Sequence, residues 1–207
     1  MSTQFQTVFD NAQSINFNRR RRVAQTQARD GTVKATSLGG QVWTFEVRLP
    51  DGPLWTTYRP LIEQMENADR VTTTTVQINK AQHSWITGYQ GSLTGNQLTN
   101  MVATTTNVTN QIQITSGGAS QIGGYRFRSG DLIQLGTNSV YSVVNDVPYD
   151  SNTVTLHRPI RESTGSYALS VGQNVSWNVI CTQFPQWTIF DRNQISWSGP
   201  FVFVESP

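Results

Sequence analysis

The chain is expected to fold as a mainly β protein of the α+β kind: a β-sheet domain with one main helix, plus an inserted small β-barrel. Three observations predict this. Charged residues are only 14% of the 207, well under the roughly 25% usual in soluble domains, while 78 residues are Ser, Thr, Asn or Gln. A protein of long surface helices would be rich in Glu, Lys and Ala, whereas Thr, Val and aromatic side chains suit sheet faces. Only one segment places its apolar residues at helical spacing. The middle of the chain carries short β-branched runs parted by turn residues, and aromatic-rich runs occupy both ends.

Arg19, Arg20, Arg21 and Arg22 form the sharpest local feature. Next, Arg29-Asp30-Gly31-Thr32 carries the Asp-Gly pair that favours a tight hairpin. Gln41 to Leu49 alternates, with Trp43, Phe45, Val47 and Leu49 on one face and Thr44, Glu46 and Arg48 on the other, which predicts a half-buried strand. The helix is expected near 54–67, where Leu54, Tyr58, Leu61, Ile62 and Met65 make one apolar stripe. Pro53 suits a first helical position, and Pro60 inside the pattern predicts a start or a kink there.

Arg70 to Ile78 is β-branched almost throughout and reads as a strand, with Ser84 to Thr87 as a short partner. From Gly88 to Gly124 the chain is polar, with Val108, Ile112 and Ile114 as its thin apolar anchors, and is expected to supply a linker and a first barrel strand. Asp131–Leu135, Val140–Val144 and Thr153–His157 then read as short strands, turned at Gly136-Thr137-Asn138 and at Tyr149 to Asn152. Such strands suit a small coiled barrel. From Val175 the aromatic style resumes with Trp177, Phe184, Trp187, Phe190, Trp197, Phe201 and Phe203. The domain plan is therefore a discontinuous β-rich domain, 1–95 and 175–207, interrupted by a barrel at 96–174.

Several function classes fall away. No run approaches the roughly 20 apolar residues of a membrane helix, and the start lacks the apolar core of a signal peptide. Cys181 is the sole cysteine, so neither a disulfide framework nor a cysteine zinc site is expected. His83 and His157 stand apart from any nucleophile motif and read as surface or packing residues. No catalytic residue, metal ligand or cofactor site is expected.

The four arginines Arg19, Arg20, Arg21 and Arg22 are the candidate interface. Arginine is enriched where protein surfaces meet and makes planar two-pronged contacts with carboxylates. A basic cluster can also hold phosphates, but a net charge of +2 is small for a nucleic-acid binder, so nucleic acid is not the expected partner. Tyr89, Tyr125 and Tyr149 are expected to be exposed and are candidates for stacking on sugar rings, a pattern equally open to ordinary barrel packing.

The order of these segments resembles a family of tail-tip and baseplate proteins of tailed bacteriophages. The resemblance spans about residues 15–207 and rests on the strand Gln41 to Pro50, the helix Trp55 to Asn67, the line Tyr125 to Gly136, the pair Val140–Val147 and Val154–Arg161, and the closing strand Phe201 to Glu205. Gly130-Asp131-Leu132-Ile133-Gln134-Leu135-Gly136 is its most specific piece. The arginine run, with Asp69-Arg70-Val71 and Gln77-Ile78, resembles versions from contractile-tailed phages of cyanobacteria. The resemblance implies a non-enzymatic virion protein, made in the host cytoplasm, serving as a wedge or distal-tail-like component. Its partners would be other tail and baseplate proteins, in a symmetric multi-copy assembly with no membrane. A receptor-binding or glycan-binding module of a tail fibre is the alternative.

Overall fold

A computed structural model describes residues 4–19, 23–37, 40–68, 70–106, 108–117, 123–137 and 139–206. In chain order the elements begin α1 (Gln6–Asp10), β1 (Ser14–Asn18), β2 (Val23–Gln27), β3 (Val33–Ser37), β4 (Thr44–Arg48), α2 (Trp55–Ala68) and β5 (Thr74–Val76). The middle holds α3 (Gly95–Thr99), β6 (Val102–Thr105), β7 (Gln111–Ser116), β8 (Tyr125–Phe127), β9 (Leu132–Leu135), β10 (Val140–Ser142), β11 (Val147–Pro148) and β12 (Thr153–Thr155). The chain closes with β13 (Ser166–Val171), β14 (Trp177–Gln183), β15 (Trp187–Phe190), β16 (Gln194–Trp197) and β17 (Phe201–Glu205). The protein is mainly β, with few and short helices besides α2. The chain forms two compact units, one of residues 11–73 with 179–206 and one of 4–10 with 74–178.

In the first unit β1, β4, β17 and residues 179–183 of β14 run antiparallel in that order. Their pleat aligns one apolar row across the strands, Phe17 to Phe45 to Phe203 to Cys181. Phe45, Phe203 and Cys181 are fully buried. Such cross-strand neighbours are what hold a sheet in one register, because a slip of one residue would turn the whole row to the other face. Helix α2 buries Ile62, Met65 and Ala68, one face at spacing three. It runs through Pro60 without ending. Leu54 stays outside the helix and half exposed. The hairpin β15–β16 is tied to the 51–53 turn, where the Asp51 carboxylate accepts the Trp197 N–H at 2.9 Å.

The second unit holds the barrel. Its six strands follow the order β10-β9-β13-β6-β7-β12, every pairing antiparallel. The two ends of that sheet meet: Val143 bridges Leu156, the Val144 N–H donates to the Thr155 carbonyl at 2.9 Å, and the His157 N–H donates to the Ser142 carbonyl at 3.0 Å. This closure removes the exposed edges that make an open sheet prone to wrong pairing. Strand β13 serves two neighbours, giving Ser166–Ala168 to β6 and Leu169–Val171 to β9. Ala103, Ile112, Ile133, Leu135, Tyr141, Val154 and Leu156 fill the interior.

Three local expectations are corrected here. Only Thr74–Val76 of the stretch 70–78 is a strand, and Arg70 sits at φ 60°, a left-handed conformation that interrupts an extended run. Ser84–Ile86 is a turn of 3₁₀ helix and not a strand, pinned by the Trp85 indole N–H on the Gln82 carbonyl at 3.1 Å. The polar stretch after Gly88 supplies α3 and two barrel staves, β6 and β7, in place of a linker and one strand. Ile112 and Ile114 alternate with polar residues along β7, so two isoleucines suffice to face the core.

Candidate functional site

The candidate interface is built on the β2–β3 hairpin. Thr32 closes its tip, donating its backbone N–H to the Asp30 carboxylate at 3.0 Å while its hydroxyl makes a second bond there. Those bonds hold the Asp30 carboxyl below its ordinary pKa. Gly31 adopts φ 86°, a conformation open to glycine and strained for other residues. The strands are in register from Val23 opposite Ser37 to Gln27 opposite Val33.

Along β2 every side chain is exposed, on both faces of the ribbon. On β3, Val33, Lys34, Ala35 and Thr36 are exposed too. Among the described residues β2 and β3 pair only with each other, so both outer edges are open. A two-stranded ribbon with no covered face is marginally stable in water by itself. Here it forms an arm whose amides, carbonyls and side chains are available to a neighbour.

Of the predicted interface residues, Arg19 follows β1 and is half-buried, its guanidinium 5.2 Å from the centre of the Trp43 ring. Arg19 thus anchors the chain just before the arm. Arg20, Arg21 and Arg22 lie outside the described residues.

The barrel's polar groups do internal work. Asp131 is buried and its two oxygens accept the N–H groups of Gln90 and Arg128, each at 2.8 Å. Burial raises its pKa against those bonds. Gln134, also buried, pairs its side-chain amide with the backbone of Ser176, giving at 2.8 Å and receiving at 2.9 Å, as a neighbouring strand would. Nearby, Asp146 accepts the Ser129 N–H at 2.8 Å and the Arg128 guanidinium at 2.6 Å, which lowers its pKa. The line Gly130 to Gly136 is therefore scaffold, each polar residue binding backbone.

A second network centres on Tyr141. Its hydroxyl donates to Glu162 at 2.5 Å and accepts the Arg161 N–H at 2.9 Å, while Ser139 donates its N–H to the same carboxylate at 3.1 Å. Burial first, and Glu162 second, push the phenol well above its ordinary pKa. Glu162 lines a cleft of about 330 Å³ with Thr105, Thr106 and Ile160. The Thr105 and Thr106 hydroxyls there are turned onto backbone carbonyls. Tyr141→Phe is expected to cost about 1–3 kcal/mol, because the Arg161 N–H and the Glu162 carboxylate each lose a partner; urea denaturation followed by fluorescence checks it.

The three tyrosines suited to sugar stacking are already engaged. Tyr149 is buried, so the expectation that it is exposed is corrected. Tyr89 donates its hydroxyl to the Arg126 carbonyl at 2.5 Å and meets Phe127 edge-on. Arg128 covers the Tyr125 ring at 3.5 Å. His157 accepts the Ser142 N–H at 3.0 Å through Nδ1 and so helps seal the barrel seam. Among the described residues no group of three His, Cys, Asp or Glu side chains is placed to hold a metal ion, and no helix is long and apolar enough to cross a membrane.

Comparison of the chain with protein-family models and with curated proteins gives no match. The sequence carried one trace of the arm, the Asp-Gly turn. Its exposure was missed, although Val23-Ala24-Gln25-Thr26-Gln27 has no sustained apolar alternation to cover a core.

Proposed function

We propose that the chain is a non-enzymatic structural subunit of a bacteriophage tail baseplate, joining neighbouring tail proteins through β surfaces. The observation that carries this reading is the β2–β3 arm, exposed on both faces and open at both edges. Strand addition at an open edge provides affinity through main-chain hydrogen bonds, with side chains choosing the partner. The low charge agrees with a repeated subunit, since strongly charged copies would repel one another. The segment order over about residues 15–207, which resembles tail-tip and baseplate proteins, supports the particular setting proposed, the virion at the tail end. The sequence also places four consecutive arginines, Arg19 to Arg22, a residue type suited to a partner's carboxylates.

Immunogold labelling of particles of the encoding phage, with mass spectrometry of purified tails, tests the proposal. Gold at the tail end and co-purification with tail proteins are the expected results. A chain missing from mature particles, or labelling elsewhere on them, overturns it.

A further inference from the structure

We infer that Arg126 and Tyr149 form a binding site for one small anion of the chloride class, beside the bulge where β8 meets β11. This site goes beyond the baseplate reading and does not depend on it. Phe127 stands opposite Val147 and Tyr125 opposite Pro148, so the register shifts and Arg126 is left without a cross-strand partner. A bulge of this kind re-aims a side chain. On a regular strand Arg126 would face away from the core side that Phe127 occupies. Here Phe127 is fully buried, and Arg126 beside it is only 6% exposed.

A guanidinium held inside a protein calls for a counter-charge, because an unpaired buried ion is costly. Among the described residues Arg126 has none. One terminal nitrogen donates to the Tyr149 carbonyl at 3.2 Å, while Nε, shut off from solvent, has no acceptor. The ionisable groups that act on the guanidinium are the phenols of Tyr149 and Tyr89, and no carboxylate is among them. Burial pulls its pKa below the ordinary value, yet an arginine keeps its proton at neutral pH. Asp131 acts on Tyr89 but spends both oxygens on the Gln90 and Arg128 N–H groups. The Tyr89 hydroxyl is spent as well, on the Arg126 carbonyl at 2.5 Å. The Tyr149 hydroxyl is the second group in need: the residue is 8% exposed, and its oxygen is shut off from solvent without a partner.

An N–H of a permanent cation and a phenolic O–H are donors that an anion satisfies together, through charge-assisted hydrogen bonds. A water molecule would serve the donors and leave the charge uncompensated. Crowding sets the size of the ion. The Tyr149 ring lies so close over Gly124 that a Cβ on that glycine would fall 2.3 Å from it. A one-atom anion suits such a corner, whereas sulfate or phosphate brings four oxygens that each need a donor. The test unfolds the full-length chain with urea over about a hundredfold range of sodium chloride, with sodium gluconate holding the ionic strength constant. Above the dissociation constant the folding equilibrium constant is expected to rise about tenfold for each tenfold of chloride, as for one site present only in the folded state. The chloride-35 NMR line, broadened by the folded chain, is expected to narrow as bromide displaces the ion.

Arg126→Met, apolar and of similar length, is expected to abolish both responses. In gluconate it should be at least as stable as the natural chain, because it no longer buries a charge without a counter-ion. Tyr149→Phe keeps the ring and should weaken chloride binding about tenfold or more, the worth of a hydrogen bond to a charged group. Equal stability in chloride and gluconate overturns the inference and makes water the acceptor. A chloride response that persists unchanged in either variant overturns it too, since the ion then binds elsewhere. So does a response to sulfate larger than that to chloride. Should Arg126→Met fail to fold, Tyr149→Phe and the bromide competition decide the matter.

Discussion

Asp131→Ala is expected to lower the free energy of unfolding by about 2–3 kcal/mol, since two backbone N–H groups lose a charged acceptor. Those groups belong to Gln90 and Arg128, so one side chain joins two separate segments of the barrel unit. A shift of the urea midpoint with unchanged slope is the signature, because the barrel would still bury the same surface. Asp131→Asn should recover part of the loss: its amide carbonyl serves one donor, while its NH₂ faces the other.

The pH dependence separates the two carboxylates of this region. Burial raises the Asp131 pKa above the ordinary 3.8, so the native state holds that proton more tightly than the unfolded chain. The contribution of Asp131 to stability therefore falls as pH rises from 3.8 through the raised value, and is constant beyond it. Asp146 runs the other way. Its pKa is lowered by the Ser129 N–H and then by Arg128, so its contribution is present above the ordinary value and disappears as pH falls through the lowered one. Asp131→Ala should abolish the first slope in acid titrations of stability and keep the second, while Asp146→Asn should do the opposite.

Sequence periodicity found what depended on local chemistry. The alternation from Trp43 to Leu49 became β4, and the apolar spacing from Tyr58 to Met65 became α2. Asp30-Gly31 marked the hairpin. Where the reading failed, a distant partner supplied what the local pattern lacked. Strands β6 and β7 look like polar linker because a small closed barrel needs few inward residues from each stave, and their neighbours, β13 and β12, lie far along the chain. Arg70-Val71-Thr72-Thr73 has strand propensity, but only residues 74–76 extend into a strand. Arg70 turns left-handed, with its N–H on the Cys181 carbonyl at 3.1 Å. Propensity on a sheet is a preference for pleated, half-buried surroundings, and those are set by tertiary structure.

The candidate site was legible in the same uneven way. Four consecutive arginines were conspicuous as a cluster, yet Arg19 is turned onto its own Trp43. The exposed arm beside them was inconspicuous because exposure on both faces leaves no periodic trace. The Asp131 line stood out as the most specific piece of the resemblance, and its polar residues bind backbone inside the barrel unit.

Trp43→Ala is expected to be among the most costly single changes outside the barrel, at about 3–5 kcal/mol, as for other buried large aromatics. Trp43 is 1% exposed, lies 5.7 Å from Phe17 in tilted contact, and ties its backbone to β17, accepting the Glu205 N–H at 2.8 Å and donating to the Glu205 carboxylate at 3.2 Å. Truncation keeps those backbone bonds and removes the ring that receives both Phe17 and Arg19. Thermal unfolding of the variant should show the full loss. Arg19→Met, which keeps an apolar stem over Trp43 and deletes the charge, should cost only about 1–2 kcal/mol, between an exposed and a desolvated cation–π contact, since Arg19 is half-buried. The pair of variants assigns the role of this corner. If Arg19→Met were as damaging as Trp43→Ala, the guanidinium would be a principal support of the sheet. If it is mild, as the geometry predicts, Arg19 only covers the ring and Trp43 carries the packing.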